Sequence, residues 1–329
     1  MILPVGGFRP VAATADWCRF EHVFLGGCVM ACWPARNVIA ATAVALAVLG
    51  GGGQTPRGQG AETTARAEKS WWPKLYGFCI ETHDARKRTL SEQAELLRQL
   101  GFDGAGYPLW LSEELEKNLR ILDEAGIPLY LAHTRVSVKP GTPAYDPRVP
   151  EAMRKLKGRP TTISVLLQGL PPGDPQGEVQ ALRALRELGD AAQANGLRVS
   201  IYHHTGDWTQ SLFQAVAVAR KASHPAVGVN FNLSHWLMVD GDKDYRPVLQ
   251  ANADILFAVT LNGAQRGAKT WTNGLIQPLD RGDFDNRQLV ATLREIGYRG
   301  PVGLMCYGIP GDARQHLQRS IRVWKSWQQ

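Results

Sequence analysis

From Leu75 to the C-terminus, short apolar runs alternate with longer stretches whose apolar residues recur at helical spacing. A strand sends successive side chains to opposite faces, whereas a helix gathers positions three and four apart on one face, so the two patterns can be told apart. The runs predict strands at Leu75–Glu81, Gly104–Tyr107, Ile127–Ala132, Thr162–Gln168, Arg198–His204, Val227–Asn232, Ile255–Asn262 and Val302–Tyr307. Between them lie helices. One opens on Thr89, aligns Leu90, Ala94 and Leu97, and stops at Gly101; another fills Glu178–Asn195; a third follows Asp285 through Leu289, Leu293 and Ile296. Gly101, Gly126, Gly196 and Gly297 each stand shortly before a predicted strand, where a left-handed glycine closes a helix. Strands separated by helices pair in parallel, because a parallel crossover needs a dozen or more residues. Eight such units predict an α/β fold, a single closed (β/α)8 (TIM) barrel over residues 71–329.

Such a barrel carries its chemistry at the C-terminal strand ends, so the parity of each strand matters. Alternation points Ser200, Tyr202 and His204 inward, with Gly228, Asn230 and Asn232 beside them. It also points Thr162, Ser164 and Gln168, then Ala258, Thr260 and Asn262, then Gly303, Met305 and Tyr307 inward. On the first strand it assigns Gly77, Cys79 and Glu81 to the bore, and on the seventh it turns Phe257 outward. Large aliphatics then contact helices while small and polar groups line the interior, and those polar groups need partners.

Residues 1–70 break the rhythm. Val38–Leu49 is apolar but short for a bilayer span, follows Arg36, and precedes a Gly-rich stretch, the order expected of a secretory signal and its linker. Residues 1–70 are therefore expected to be a leader, with Met30 as the start that gives it ordinary length; an uncleaved membrane anchor or a disordered tail is the alternative. The mature barrel is then exported, periplasmic or secreted, with no membrane contact of its own. Formal charge is +7, spread without a basic block, which suits solubility and not nucleic-acid binding. Cys18, Cys28 and Cys32 fall in the leader, leaving Cys79 and Cys306 on strands that become neighbours when the barrel closes. Their opposite parities argue against a disulfide, and no zinc-type spacing occurs.

Candidate chemistry gathers at strand ends. Glu81, in Cys79-Ile-Glu-Thr-His-Asp84, is the first candidate acid or base, unless Arg86, Lys87 or Arg88 holds it in an ion pair. His204 and His235 fall at adjacent strand mouths and complete a proton-handling set, while His203 has the parity of a structural residue. His83, Gln168, Tyr202, Asn232, Asn262 and Gln277 are candidates for substrate hydroxyls, since amides and phenols both donate and accept. Trp208 and Trp236, with Trp110 and Trp271, fall in strand-to-helix loops, where an indole can stack on a sugar. Asp283 and Asp285 read as loop and helix-cap residues.

The segments Arg198–Trp208 (RVSIYHHTGDW), Gly228–Asp240 (GVNFNLSHWLMVD) and Thr260–Ala264 (TLNGA) resemble the xylose isomerase-like TIM barrels, which include sugar phosphate isomerases and epimerases. The resemblance implies a carbohydrate or keto-sugar substrate, proton transfer between adjacent carbons, and a divalent metal held by carboxylates and a histidine on strands five to eight. The corresponding positions here are Tyr202, Asn232, Thr260 or Val259, and Met305 or Cys306, none of them a carboxylate or a histidine. A hard cation prefers anionic oxygens, so the expectation is an isomerase- or epimerase-like barrel whose metal site is degenerate: no metal ligand, and at most a weakly held divalent ion as cofactor. A lyase or hydratase on an oxidised sugar and a carbohydrate-binding barrel without turnover are the alternatives.

Overall fold

Each predicted strand is present, and β1 pairing with β8 closes the ring. The computed structural model describes residues 71–329; the expected leader and its three cysteines lie outside the described residues. The strands are β1 (Leu75–Phe78), β2 (Gly104–Pro108), β3 (Leu129–Ser137), β4 (Thr162–Gln168), β5 (Arg198–Tyr202), β6 (Val227–Asn232), β7 (Leu256–Leu261) and β8 (Val302–Met305), all parallel to their neighbours. The helices are α1 (Leu90–Leu100), α2 (Ser112–Glu124), α3 (Val149–Lys155), α4 (Glu178–Ala194), α5 (Leu212–Ala222), α6 (Leu233–Val239), α7 (Arg246–Ala251), α8 (Asn286–Glu295) and α9 (Ala313–Ser326). None is long and apolar enough to cross a membrane among the described residues.

Local chemistry explains the boundaries. Thr89 accepts from the Glu92 N–H while Glu92 Oε2 accepts from the Thr89 N–H at 2.8 Å, a reciprocal cap that starts α1. Asp285 accepts from the Gln288 N–H at 3.0 Å and starts α8. Gly101, Gly126, Gly196 and Gly297 all adopt positive φ, between 67° and 79°, the conformation that lets a chain leave a helix and enter the next strand. Val199, Ile201, Val227, Val229, Phe231, Val302 and Leu304 are buried, as their outward parity requires.

Two parities differ from the sequence reading. On β1 it is Tyr76 and Phe78 that point inward: the Tyr76 ring lies 6.0 Å from that of Tyr130, and Phe78 lies 6.4 Å from Tyr202. Gly77 instead faces α1, since a Cβ there would stand 2.8 Å from Leu97. Cys79 takes φ 56° and ends the strand before Glu81, so alternation cannot be carried past Phe78. On β7 the register steps between Val229 and Asn230 of its partner. The extra residue turns Phe257 inward, beneath the Arg198 guanidinium at 4.7 Å. Cys79 and Cys306 are both free thiols.

Candidate functional site

The bore between β4, β5 and β6 is built from short polar side chains that satisfy one another. Ser164 Oγ accepts from the Ser200 hydroxyl at 3.1 Å and from the Asn230 amide at 3.3 Å. One layer higher, the Asn232 amide donates to the Tyr202 hydroxyl. Asn232 Oδ1 accepts from the Ser234 hydroxyl at 2.7 Å and from the His235 N–H at 3.2 Å, which caps α6. The Asn232 N–H donates to His203 Nε2 at 3.1 Å, so His203 is a fully buried brace. Among the described residues Tyr76 Oη, Asn230 Oδ1 and Thr260 Oγ1 are buried without partners, positions that bound water ordinarily fills.

Capping by Asn232 delivers His235 to the mouth beside His204. The two ring centroids stand 4.2 Å apart, and Trp271 covers His235 at 5.0 Å. His235 Nδ1 accepts from the Thr205 N–H at 3.1 Å, which leaves the proton of the neutral ring on Nε2. Burial, then the neighbouring His204 and His203, holds His235 well below the usual imidazole range. Burial and then Arg135 bring His204 down to about 4. Asp207 Oδ2 lies 3.4 Å from His204 Nδ1, and burial pushes its carboxyl up to about 7. His133 joins this wall, its ring 5.5 Å from Phe78, and burial lowers it to about 4.

Asp207 and Arg135 were not singled out from the sequence. The signal for Asp207 was its turn position three residues after His204. Arg135 lies beyond the predicted end of the third strand, which in the structure runs on to Ser137, and its charge acts on His204, His133 and Asp207.

The Glu81 carboxyl acts on the thiols of Cys79 and Cys306 and on Tyr107; like Asp207, it is not among the charges that shift His204 or His235. Burial raises it to about 7. The expected ion-pair alternative does not form: Arg88 instead bridges Asp84 and Asp312, at 2.8 and 2.7 Å. His83 Nδ1 accepts from the Gly308 N–H at 3.0 Å and its ring packs on Tyr307 at 4.9 Å, tying two strand-end loops together. Gln168 stays half-buried at the end of β4, beside Ser137.

Other expected rim residues are elsewhere. Trp208 is buried under the loop before α4, its indole N–H donating to the Asp174 carbonyl at 2.7 Å. Trp236 faces away from the bore, packed on Phe231 and Phe213 at 5.9 and 5.7 Å. Both lost their rim positions because burying an indole outweighed exposing it. Asn262 donates to the carbonyls of Gly263 and Leu275, at 2.8 and 2.6 Å, and so braces the long loop after β7. Gln277 donates to Gly274 within that loop at 2.8 Å, and Asp283 accepts from the Arg266 N–H at 2.7 Å.

The family model of the xylose isomerase-like TIM barrels matches residues 94–327. The chain belongs to this family. No curated protein matches it in sequence. Among solved structures, it is similar to the 3-keto-D-glucoside 4-epimerase YcjR from E. coli, at 16% identity and TM-score 0.61 over 78% of this chain and 100% of that one. The D-allulose 3-epimerase from Methylomonas sp. is similar at 15% identity and TM-score 0.60, over 78% and 98% of the two chains. The probable 3-DHS dehydratase AsbF from Bacillus anthracis is similar at 12% identity and TM-score 0.58, over 77% and 98%. At these identities the likeness is one of fold.

The divalent metal that the family resemblance implies does not fit the residues present. Its expected positions carry a phenol, an amide, a hydroxyl and a thioether. Tyr202 and Asn232 are hydrogen-bonded to each other, and Met305 is buried against the barrel interior. Among the described residues no group of three or more His, Cys, Asp or Glu side chains could hold a metal ion. What the mouth offers is an acid–base set: a carboxyl near neutrality, two neutral imidazoles and a guanidinium.

Proposed function

We propose that the barrel moves a proton on a sugar or keto-sugar, as an isomerase or epimerase does, using Asp207 with His204 and His235. The observation that carries this reading is the contact between Asp207 and His204 at 3.4 Å, beside His235, in a mouth where burial brings the carboxyl to about 7. A general base is most effective when its pKa lies near the working pH. The Asp207 carboxylate would take a proton from the carbon next to the substrate carbonyl, the bonding pair moving onto the carbonyl oxygen. The Nε2–H of neutral His235 would hydrogen-bond that oxygen, and the protonated Asp207 would return its proton to the neighbouring carbon of the enediolate, while inversion at the same carbon would need a second acid on the opposite face. Glu81, the other carboxyl raised to about 7, is the second candidate base. The epimerase and dehydratase neighbours make proton abstraction beside a carbonyl a coherent class.

A second reading is a carbohydrate-binding barrel without turnover, which the mutually engaged Tyr202 and Asn232 favour. We further read Val38–Leu49 as an export signal, which makes unphosphorylated sugars the accessible substrates. The deciding experiment incubates the protein with a panel of aldoses, ketoses and keto-glycosides in D2O and follows the C–H signals by NMR. Deuterium should enter next to the carbonyl, and Asp207→Asn should stop it. Sugar binding with no exchange for any member of the panel would leave the binding-only reading.

A further inference from the structure

His235 is closed off in the state the structure shows. It is only 6% exposed, and the rings of His204, Trp271 and Tyr202 surround it with centroids 4.2, 5.0 and 5.7 Å away. Ring contacts that close leave no room for a sugar beside it. Two of the three rings are fixed. Tyr202 belongs to β5 and is hydrogen-bonded to Asn232, and the His204 N–H donates to the Thr209 carbonyl at 3.0 Å. Trp271 instead rides on the loop after β7. The base of that loop is clamped, since Gly263 and Gln277 exchange N–H to carbonyl bonds at 3.0 and 2.8 Å. Inside it, the Leu275 N–H donates to Thr270 at 2.9 Å and the Ile276 N–H to Trp271 at 2.8 Å, while the Gln265 N–H donates to Gly274 at 2.9 Å. Most of residues 265–273 are exposed. A loop with close ends, bonded to itself and wet on its outer side, moves as a unit at low cost.

Across the mouth the loop is fastened at Gly308, just after β8. The Thr272 hydroxyl donates to the Gly308 carbonyl at 3.2 Å, and the Gly308 N–H donates to His83 Nδ1 at 3.0 Å. Gly308 takes φ 72°, and a Cβ there would stand 2.9 Å from Thr272 Oγ1, so glycine is what lets the hydroxyl approach. One residue thus joins the loops that follow β1, β7 and β8.

We propose that residues 265–276 form a hinged cover, that Trp271 is its roof over His235, and that Thr272 is the positioning residue that latches it shut on Gly308. Substrate enters when the latch breaks and the cover lifts. Closure then brings the indole down on the bound molecule and shuts out water. The part the cover plays in turnover rests on His235 meeting the substrate oxygen; the latch itself does not.

Hydrogen–deuterium exchange on the full chain at pH 7 tests the latch without any turnover. Thr272→Val keeps the side-chain shape and loses the donor. Peptides from residues 265–277 should then exchange about fivefold faster, the factor that one hydrogen bond's net worth allows. Thr272→Ser should restore the wild-type rate, and peptides from β5 and β6 should be unchanged in both variants. Any sugar of the panel that binds should slow the same segment. Exchange of 265–277 that is as slow as that of β5 and β6 in the wild-type protein, or indifferent to Thr272→Val, would overturn the proposal. Acceleration spread over the whole barrel would overturn it too, by making Thr272 a general structural residue. A sugar that binds without slowing the segment would remove Trp271 as the roof. A chain that exchanges as expected but turns over no sugar keeps the latch and loses the reaction assigned to the mouth.

Discussion

His204 and His235 face each other with ring centroids 4.2 Å apart, and both are held neutral. Two imidazolium ions could not share that space without water between them, and burial excludes the water. In the proposed reaction the pair would therefore act as a donor and acceptor set rather than as a charge. Replacing His235 by Gln keeps a donor near the site but loses the Nδ1 contact to the Thr205 N–H. Activity should fall by about 10²-fold, in the range general acid–base groups contribute, while a thermal melt shows a folded protein. Unchanged turnover would remove His235 from the proton path.

The pH dependence of activity should follow the carboxyl. Burial raises Asp207 to about 7, and the base form is the ionised one, so kcat/KM should rise with pH through about 7 and level above it. Initial-rate measurements from pH 5 to 9 check this. A rising limb centred near 4 would assign the base to an unperturbed carboxylate.

Stability should carry the opposite signature at the same residue. The folded-state value of Asp207 is raised above the ordinary 3.8, so the fold favours the protonated form. That contribution is complete below about pH 4 and is lost as pH rises through 7. Asp207→Asn keeps a neutral group at every pH, so its Tm relative to wild type should climb between pH 4 and 8. The buried imidazoles act the other way: His204 and His133, both lowered to about 4, withdraw stability as pH falls from 6.5 towards 4. Denaturant titrations at several pH values separate the two limbs.

Tyr202→Phe removes the acceptor of the Asn232 amide deep in the bore. A buried donor left unpaired costs about 1–3 kcal/mol, and the loss should appear in urea denaturation. If a water enters to replace the phenol oxygen, the double variant Tyr202→Phe with Asn232→Leu will not recover stability, since Asn232 also caps α6.

Gly303→Ala tests the barrel seam. A Cβ at Gly303 would stand 2.7 Å from the Tyr76 ring and 2.8 Å from Thr260 Cγ2, with rings and strands packed on every side. Overpacking of this kind costs about 1–3 kcal/mol. A melt indistinguishable from wild type would show that Tyr76 can shift.

Strand number, strand order and the parallel barrel were legible in the sequence, because apolar periodicity and helix-closing glycines are local properties of the chain. The cap on Asp285, the Thr89 cap and the inward parity of Ser200, Tyr202, Asn230 and Asn232 were legible for the same reason. Alternation failed where the backbone broke its own period: at Cys79, where positive φ ends β1, and at the register steps beside Phe257 and Tyr130. Each break moves a side chain to the other face, and nothing in residue type announces it. The candidate site shows the same division. His204 and His235 could be named from strand ends, and Asp207 is a turn neighbour of His204, but only the folded chain buried its carboxyl and brought Arg135 near both. Only tertiary packing, likewise, drew Trp208 and Trp236 into apolar contacts and left Trp271 at the mouth. The sequence by itself determined the ring of strands and which end carries the polar groups, since those follow from side-chain period. The tertiary structure decided which groups meet and which are neutral, since proximity and burial are set by residues far apart in the chain.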